Sequence, residues 1–217
     1  YRCLILGVVL CAEMYLLLAS ILFIPVALAI LVFYAYPIMI ALWTWRSGRS
    51  EFSYFGLGVM VLAFMGLIIA LTGSDRLLAG WDVRIGIALA LIAAICLAAL
   101  LLLSERILER LPAKIMMLYM LLSATAVVGF VSLFIVELTW PASPVGWLAL
   151  CGSAVLYVTA TLLLFKAVYL VGSLQTAIID NTSPIWAMIL GVIVLGQWLT
   201  AQQVMGASVT VVAVMLL

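Results

Sequence analysis

The stretch Gly172–Leu199 reads GSLQTAIIDNTSPIWAMILGVIVLGQWL. It is long enough to cross a bilayer, since about 20 apolar residues span the ~30 Å hydrocarbon core. Yet Asp180, Asn181, Thr182 and Ser183 stand together in it, directly before Pro184. Proline has no amide hydrogen and crowds the carbonyl four residues back, so a helix crossing here loses a bond in mid-membrane. A carboxylate at that depth costs at least about 2.5 kcal/mol on insertion scales, and such groups face a bundle interior or a wet cavity. Two readings are open. The break lines a cavity, or it is a proline kink whose freed backbone groups are satisfied by Ser and Thr hydroxyls.

The rest of the chain agrees with a membrane setting. Of 217 residues, 70% are hydrophobic and 8% charged, and the mean hydropathy is +1.46. A soluble domain is roughly half apolar and a quarter charged. The apolar runs are continuous rather than alternating, which selects helices over a closed barrel. The fold class is therefore all-α, a polytopic helical membrane protein with one membrane domain. Net charge is +1, which excludes nucleic acid as a main partner. Cys3, Cys11, Cys96 and Cys151 are scattered through apolar spans, no C-x-x-C occurs and there is no histidine. That leaves no basis for a metal site, a cofactor or a nucleophile–histidine pair.

Eight apolar segments are expected, at about 3–20, 23–45, 53–72, 84–103, 114–136, 145–166, 173–196 and 200–217. Arg2, Arg46, Arg49, Arg106, Arg110, Lys114 and Lys166 fall on one side of this arrangement, and only Arg76 and Arg84 on the other. The positive-inside bias makes the first side cytoplasmic. Trp43, Trp45, Trp81, Trp140, Trp147 and Trp198 lie near span ends, as an interfacial belt requires, whereas Trp186 falls inside the seventh span. Trp186 lines a cavity or faces lipid. Ala90, Ala94 and Ala98 in the fourth span, and Gly56, Gly58, Ala63 and Gly66 in the third, read as close-packing faces. SERILERLPAK (Ser104–Lys114) reads as a solvated helix end before Pro112, with Glu105, Arg106, Glu109 and Arg110 at pairing distance along a helix.

The chain repeats itself. ILFIPVALAILVFYAYPIMIAL (Ile21–Leu42) aligns with VYLVGSLQTAIIDNTSPIWAMIL (Val168–Leu190), Pro37 over Pro184. Beyond the prolines, SEFSYFGLGVMVLA aligns with TAQQVMGASVTVVA after a one-residue shift that puts Gly58 over Gly206. Arg46 and Arg49 follow the first unit, whereas GQWLTAQQ after the second carries no Lys or Arg, so the units point opposite ways. Inverted repeats of this kind are the architecture of alternating-access transporters.

A proline late in a span rich in small residues, then a short polar turn, then q-x-x-G, resembles the EamA-type transporters of the drug/metabolite transporter superfamily. IPVALAILVFYAYPI and LGQWLTAQQVMGASV carry the resemblance, which covers nearly the whole chain. It departs from the family at the turn, where Gln197 stands for the frequent glutamate and the first-half turn is RSGRSE. The resemblance implies ten helices in two inverted five-helix repeats, of which about eight, the third to the tenth, are present here. The chain begins at Tyr1 and ends at Leu217 within an apolar run, so truncation at both ends is expected. Residues 1–72 then form the later part of the first repeat, 73–83 an external loop, and 84–217 the second repeat with its last helix incomplete.

Glu13, in VVLCAEMYLLL, is the second intramembrane carboxylate. The resemblance puts its span and that of Asp180 around one cavity, with Asn181, Tyr34, Tyr157 and Trp186 as further candidate walls. The alternative for Glu13 is a protonated carboxyl hydrogen-bonded to a neighbouring helix. Tyr34 and Tyr36 precede Pro37, and Tyr157 shares its span with Thr159 and Thr161. Aromatic walls with sparse hydroxyls suit small organic solutes, although each tyrosine alone could equally sit at a helix contact. Pro37 and Pro184 mark the helix breaks, and Lys166 reads as a snorkelling side chain.

The expectation is a secondary transporter in the plasma membrane, of the bacterial inner-membrane kind, exporting amino-acid-like or amine-bearing metabolites. Its partners are the lipid bilayer, a small-molecule substrate and, as an open option, a second copy forming a homodimer. An exchanger of phosphorylated sugars would want Arg or Lys deep in the spans, and none is there. A membrane scaffold or assembly subunit is the alternative from another class. Enzyme activity is not expected, since no nucleophile–base pair is visible.

Overall fold

A computed structural model describes residues 2–24, 26–48, 54–71, 82–135, 140–180, 182, 183, 186, 189, 190, 193 and 201–215. Among the described residues nine helices have defined bounds, and there is no strand. They are α1 (Arg2–Ser20), α2 (Val26–Phe33), α3 (Tyr36–Arg46), α4 (Tyr54–Leu71), α5 (Asp82–Leu108), α6 (Ala113–Ile135), α7 (Pro144–Val171), α8 (Ser173–Asp180) and α9 (Ala201–Met215). A hydrocarbon solvent offers the backbone no partners, so each span must satisfy itself, and a helix does so within one segment. Among the described residues four helices are long and apolar enough to cross a membrane: Arg2–Ser20, Val83–Leu108, Ala113–Leu133 and Pro144–Val171. The chain is an all-α polytopic membrane protein.

The chain divides into two compact units, one of residues 1–12 and 100–173, the other of residues 13–99 and 174–217. In the first, α1 and α6 cross closely. Gly7 makes this possible, because a Cβ there would collide with the Met120 carbonyl oxygen and the Ser123 hydroxyl. Ser123 donates to the Leu4 carbonyl at 2.6 Å, and the Cys11 thiol reaches the Ala124 carbonyl at 3.5 Å. Leu6, Leu10, Met116, Met117 and Met120 are buried there. Cys11 thus packs as a small side chain with a weak donor, as free cysteines in apolar surroundings do.

The ends of α7 follow from local chemistry. Ser143 caps its start, its hydroxyl accepting the Gly146 amide at 3.1 Å. Pro144 sits at the first helical position, where a missing amide hydrogen leaves no bond unmade. Trp140 and Trp147 stack beside this end, centroids 5.7 Å apart. At the other end Gly172 takes φ 87°, a value open to glycine and strained for other residues, and α8 starts immediately after it. Ser173 is buried and donates to Glu105 Oε2 at 2.6 Å. Glu105, read from the sequence as a member of a surface charge ladder, therefore ties α5 to the turn between α7 and α8.

In the second unit the span expected at 23–45 is two helices. α2 ends at Phe33, Tyr34 and Ala35 form a turn, and α3 restarts with Pro37 in its first turn. Proline is harmless there, so the interruption falls just before Pro37 rather than at it. Ala90, Ala93, Ala94 and Ala98 of α5 are buried, the packing face expected of small residues, and Gly86 lies against Ile24. Helices α4 and α9, the pair that the internal repeat aligns, pack against each other. Gly66 and Gly206 are buried, whereas Gly58 is exposed. The side chain of Ala63 lies outside the described residues.

Candidate functional site

The second unit brings the two proline-associated breaks together. α8 stops at Asp180, Thr182 turns, and the described residues from Ser183 onward are helical again. Asp180 is half-buried. Its Oδ2 accepts the Tyr36 hydroxyl at 2.7 Å, and its Oδ1 accepts the Ser183 hydroxyl at 2.8 Å. The Tyr36 hydroxyl also lies 3.3 Å from the Ala177 carbonyl. Tyr34 is close enough to Asp180 to feel its charge. Thr182 donates to the Ile179 carbonyl at 2.8 Å. Thr182 thus bonds back to the preceding turn, while Ser183 turns to the carboxylate.

Tyr36 is fully buried, held by a small aromatic cluster. Phe33 meets Tyr34 edge-on at 5.9 Å, and Phe33 and Tyr34 flank Tyr36 at 5.9 and 6.1 Å. These separations fall within the 4.5–7 Å favoured by aromatic pairs. The turn at Tyr34–Ala35 is what brings all three rings to one place.

The other sequence candidates are placed as follows. Glu13 lies in α1 and is only 2% exposed. Its Oε2 has no hydrogen-bond partner among the described residues, and Cys96 of α5 is near enough to feel its charge. No hydrogen bond joins Glu13 to Asp180 among the described residues. Trp186 is 63% exposed. Tyr157 belongs to the first unit, on an exposed stretch of α7, and its carbonyl accepts the Thr161 hydroxyl at 2.7 Å. Thr159 likewise donates to Val155 within α7. Asn181 and Pro184 lie outside the described residues.

A family model described as the EamA-like transporter family matches residues 84–217. The chain belongs to the EamA-like transporter family. It is accordingly a membrane transporter of the drug/metabolite type. One solved crystal structure superposes with a TM-score of 0.81 at 15% identity, over 95% of this chain and 73% of that one. At that identity the likeness concerns the fold alone. Among curated proteins no match was found.

Two residues of this EamA-like chain stand out only in three dimensions. Tyr36 and Ser183 each immediately precede a proline, Pro37 and Pro184, and stand over one another when the two stretches are aligned on those prolines. Each donates to a different oxygen of the same carboxyl group. Sequence reasoning marked Asp180 by its cost, Tyr34 and Tyr36 as aromatic walls and Ser183 as part of the polar cluster before Pro184, but did not pair Tyr36 and Ser183 with the Asp180 carboxyl. The signal available was the alignment itself, which puts two hydroxyls at one position of the repeat.

The arrangement accommodates two protonation states of Asp180. When the carboxylate is charged, both hydroxyls donate to it. A hydroxyl carries one proton and can also accept. When Asp180 is protonated, its O–H can donate to the Tyr36 oxygen, while the Tyr36 proton turns to the Ala177 carbonyl.

Proposed function

We propose that this protein is a secondary transporter that moves small amine-bearing metabolites out across the plasma membrane, of the bacterial inner-membrane kind, by alternating access. Asp180 is the residue at which cationic solute and proton compete. The observation that carries this reading is the half-buried Asp180 carboxyl held by Tyr36 and Ser183 from two helix breaks. A carboxylate beside three aromatic rings suits an ammonium group, which is drawn both to the charge and to the π-faces. The hydroxyl pair lets the same carboxyl carry a proton on the return step.

The inverted-repeat reading, with units in residues 1–72 and 84–217, supplies the alternating access. Three observations support it. The breaks precede aligned prolines, the pre-proline residues meet at one carboxyl, and the repeat-equivalent helices α4 and α9 pack against each other. Glu13 is a second proton or cation site in this scheme. A buried carboxyl with an unpartnered oxygen is retained against its desolvation cost.

The test is flux of a labelled metabolite panel through the protein in proteoliposomes, with and without a proton gradient. Amine-bearing solutes are expected to be carried and to respond to the gradient. Transport confined to anionic solutes, or indifferent to the gradient, refutes this reading while leaving the family intact.

A further inference from the structure

At one end of the first unit, the turn between α5 and α6 and the last three turns of α7 line a cleft of about 720 Å³. Ligand pockets run from about 300 to 1,000 Å³, so the space suits a headgroup-sized ligand. Arg110 of the turn, Lys114 of α6 and Lys166 of α7 line it, together with Tyr169 and Glu109. Three cations from three segments face one carboxylate. All three are exposed, and none makes an ion pair among the described residues. Below them the walls are apolar, with Leu108, Leu162 and Leu163. Ala113 and Lys114 open α6, and the first amides of a helix have no partner inside it. The positive-inside count puts this end at the cytoplasmic surface of the membrane.

We propose that this cleft binds the phosphate of an anionic phospholipid, with the headgroup among Arg110, Lys114 and Lys166 and the glycerol and acyl region along the leucines. Snorkelling alone would let each cation reach separately into water. Here they converge on one cavity, and unpaired ammonium and guanidinium groups above an apolar wall match an amphiphile with a phosphate head. Glu109 at the rim disfavours a more highly charged phosphate and leaves room for a singly charged diester. A free phosphate would use the same cations but gain nothing from the leucine wall, so the lipid is the occupant assigned.

The experiment is native mass spectrometry of the purified protein released from nanodiscs of mixed phosphatidylglycerol and phosphatidylcholine. The unaltered protein is expected to retain the anionic lipid in preference to the zwitterionic one by at least about fivefold, the effect of roughly one interfacial cation. The double variant Lys114→Gln/Lys166→Gln is expected to lose that preference. Lys114→Arg/Lys166→Arg should keep it, which separates charge from folding, and Arg46→Gln at the end of α3 should leave it unchanged. Equal retention of both lipids, persistence in the Gln variant, or an equal loss in Arg46→Gln would overturn the assignment. Stabilisation by millimolar inorganic phosphate with no lipid preference would give the cleft to a free anion and overturn it as well.

Discussion

Replacing Tyr36 by Phe removes one oxygen from a residue that is fully buried. The ring fills the same space and keeps its contacts with Phe33 and Tyr34, so the apolar contribution cancels. What is lost is the 2.7 Å bond to Asp180 Oδ2 and the longer contact with the Ala177 carbonyl. A hydrogen bond to a charged acceptor contributes about 1.5–3 kcal/mol and one to a neutral acceptor about 0.5–1.5 kcal/mol. Tyr36→Phe is therefore expected to destabilise the fold by about 2 kcal/mol if Asp180 is charged in the resting protein. The cost should fall to about 1 kcal/mol when the same change is made on Asp180→Asn, which offers only a neutral acceptor. The assay is reversible unfolding in mixed micelles on the four proteins of the cycle. A coupling of about 1 kcal/mol is expected, outside the ~0.3–0.5 kcal/mol within which independent sites add. Strict additivity would mean that the hydroxyl does not meet a charged carboxylate, and the resting site with Asp180 ionised would fall.

Glu13→Met fills the buried position with apolar atoms and removes an unpartnered oxygen, so thermal stability is expected to rise, by about 1–3 kcal/mol. Gradient-driven flux should fall at the same time, and a variant that transports normally would take Glu13 out of the mechanism. Gly7→Ala drives a methyl group into the Met120 carbonyl and the Ser123 hydroxyl, and a loss of about 1–3 kcal/mol in unfolding measurements is expected from overpacking. Gly58→Ala meets nothing within 4 Å and serves as the neutral control. Cysteine placed at Arg110 should label from the cytoplasm and cysteine at Pro141 from outside. The reverse pattern would overturn the topology.

The sequence made the fold class legible because hydropathy alone decides between water and lipid, and seventy per cent apolar content leaves one solution. The packing faces of α5 were legible for a similar reason, since alanines four apart can only be one stripe. Asp180 stood out by its cost in a span. Its pairing with Tyr36 and Ser183 did not. Tyr36 looked like any tyrosine beside a proline, and its role depends on the turn at Tyr34–Ala35 that lets α3 restart with Pro37 in its first turn. Glu105 shows the opposite failure. Periodicity offered it neighbours on its own helix, and the structure gives it Ser173, sixty-eight residues away in the chain. Local spacing carries no information about a contact made across the unit. Tyr157 and Trp186 were singled out by residue type, which distinguishes a cavity wall from a lipid-facing side chain poorly in membranes, where both are apolar and aromatic.

Asp180→Asn tests the central proposal most directly. The substitution keeps the size of the side chain and its acceptor for the Tyr36 hydroxyl, while removing the group that could exchange a proton. Flux of an amine-bearing solute is measured in proteoliposomes under an imposed proton gradient and, separately, as solute exchange without one. The expected result is loss of gradient-driven flux with exchange and thermal stability largely retained. Unchanged gradient-driven flux in Asp180→Asn would contradict the account and remove Asp180 from the transport step.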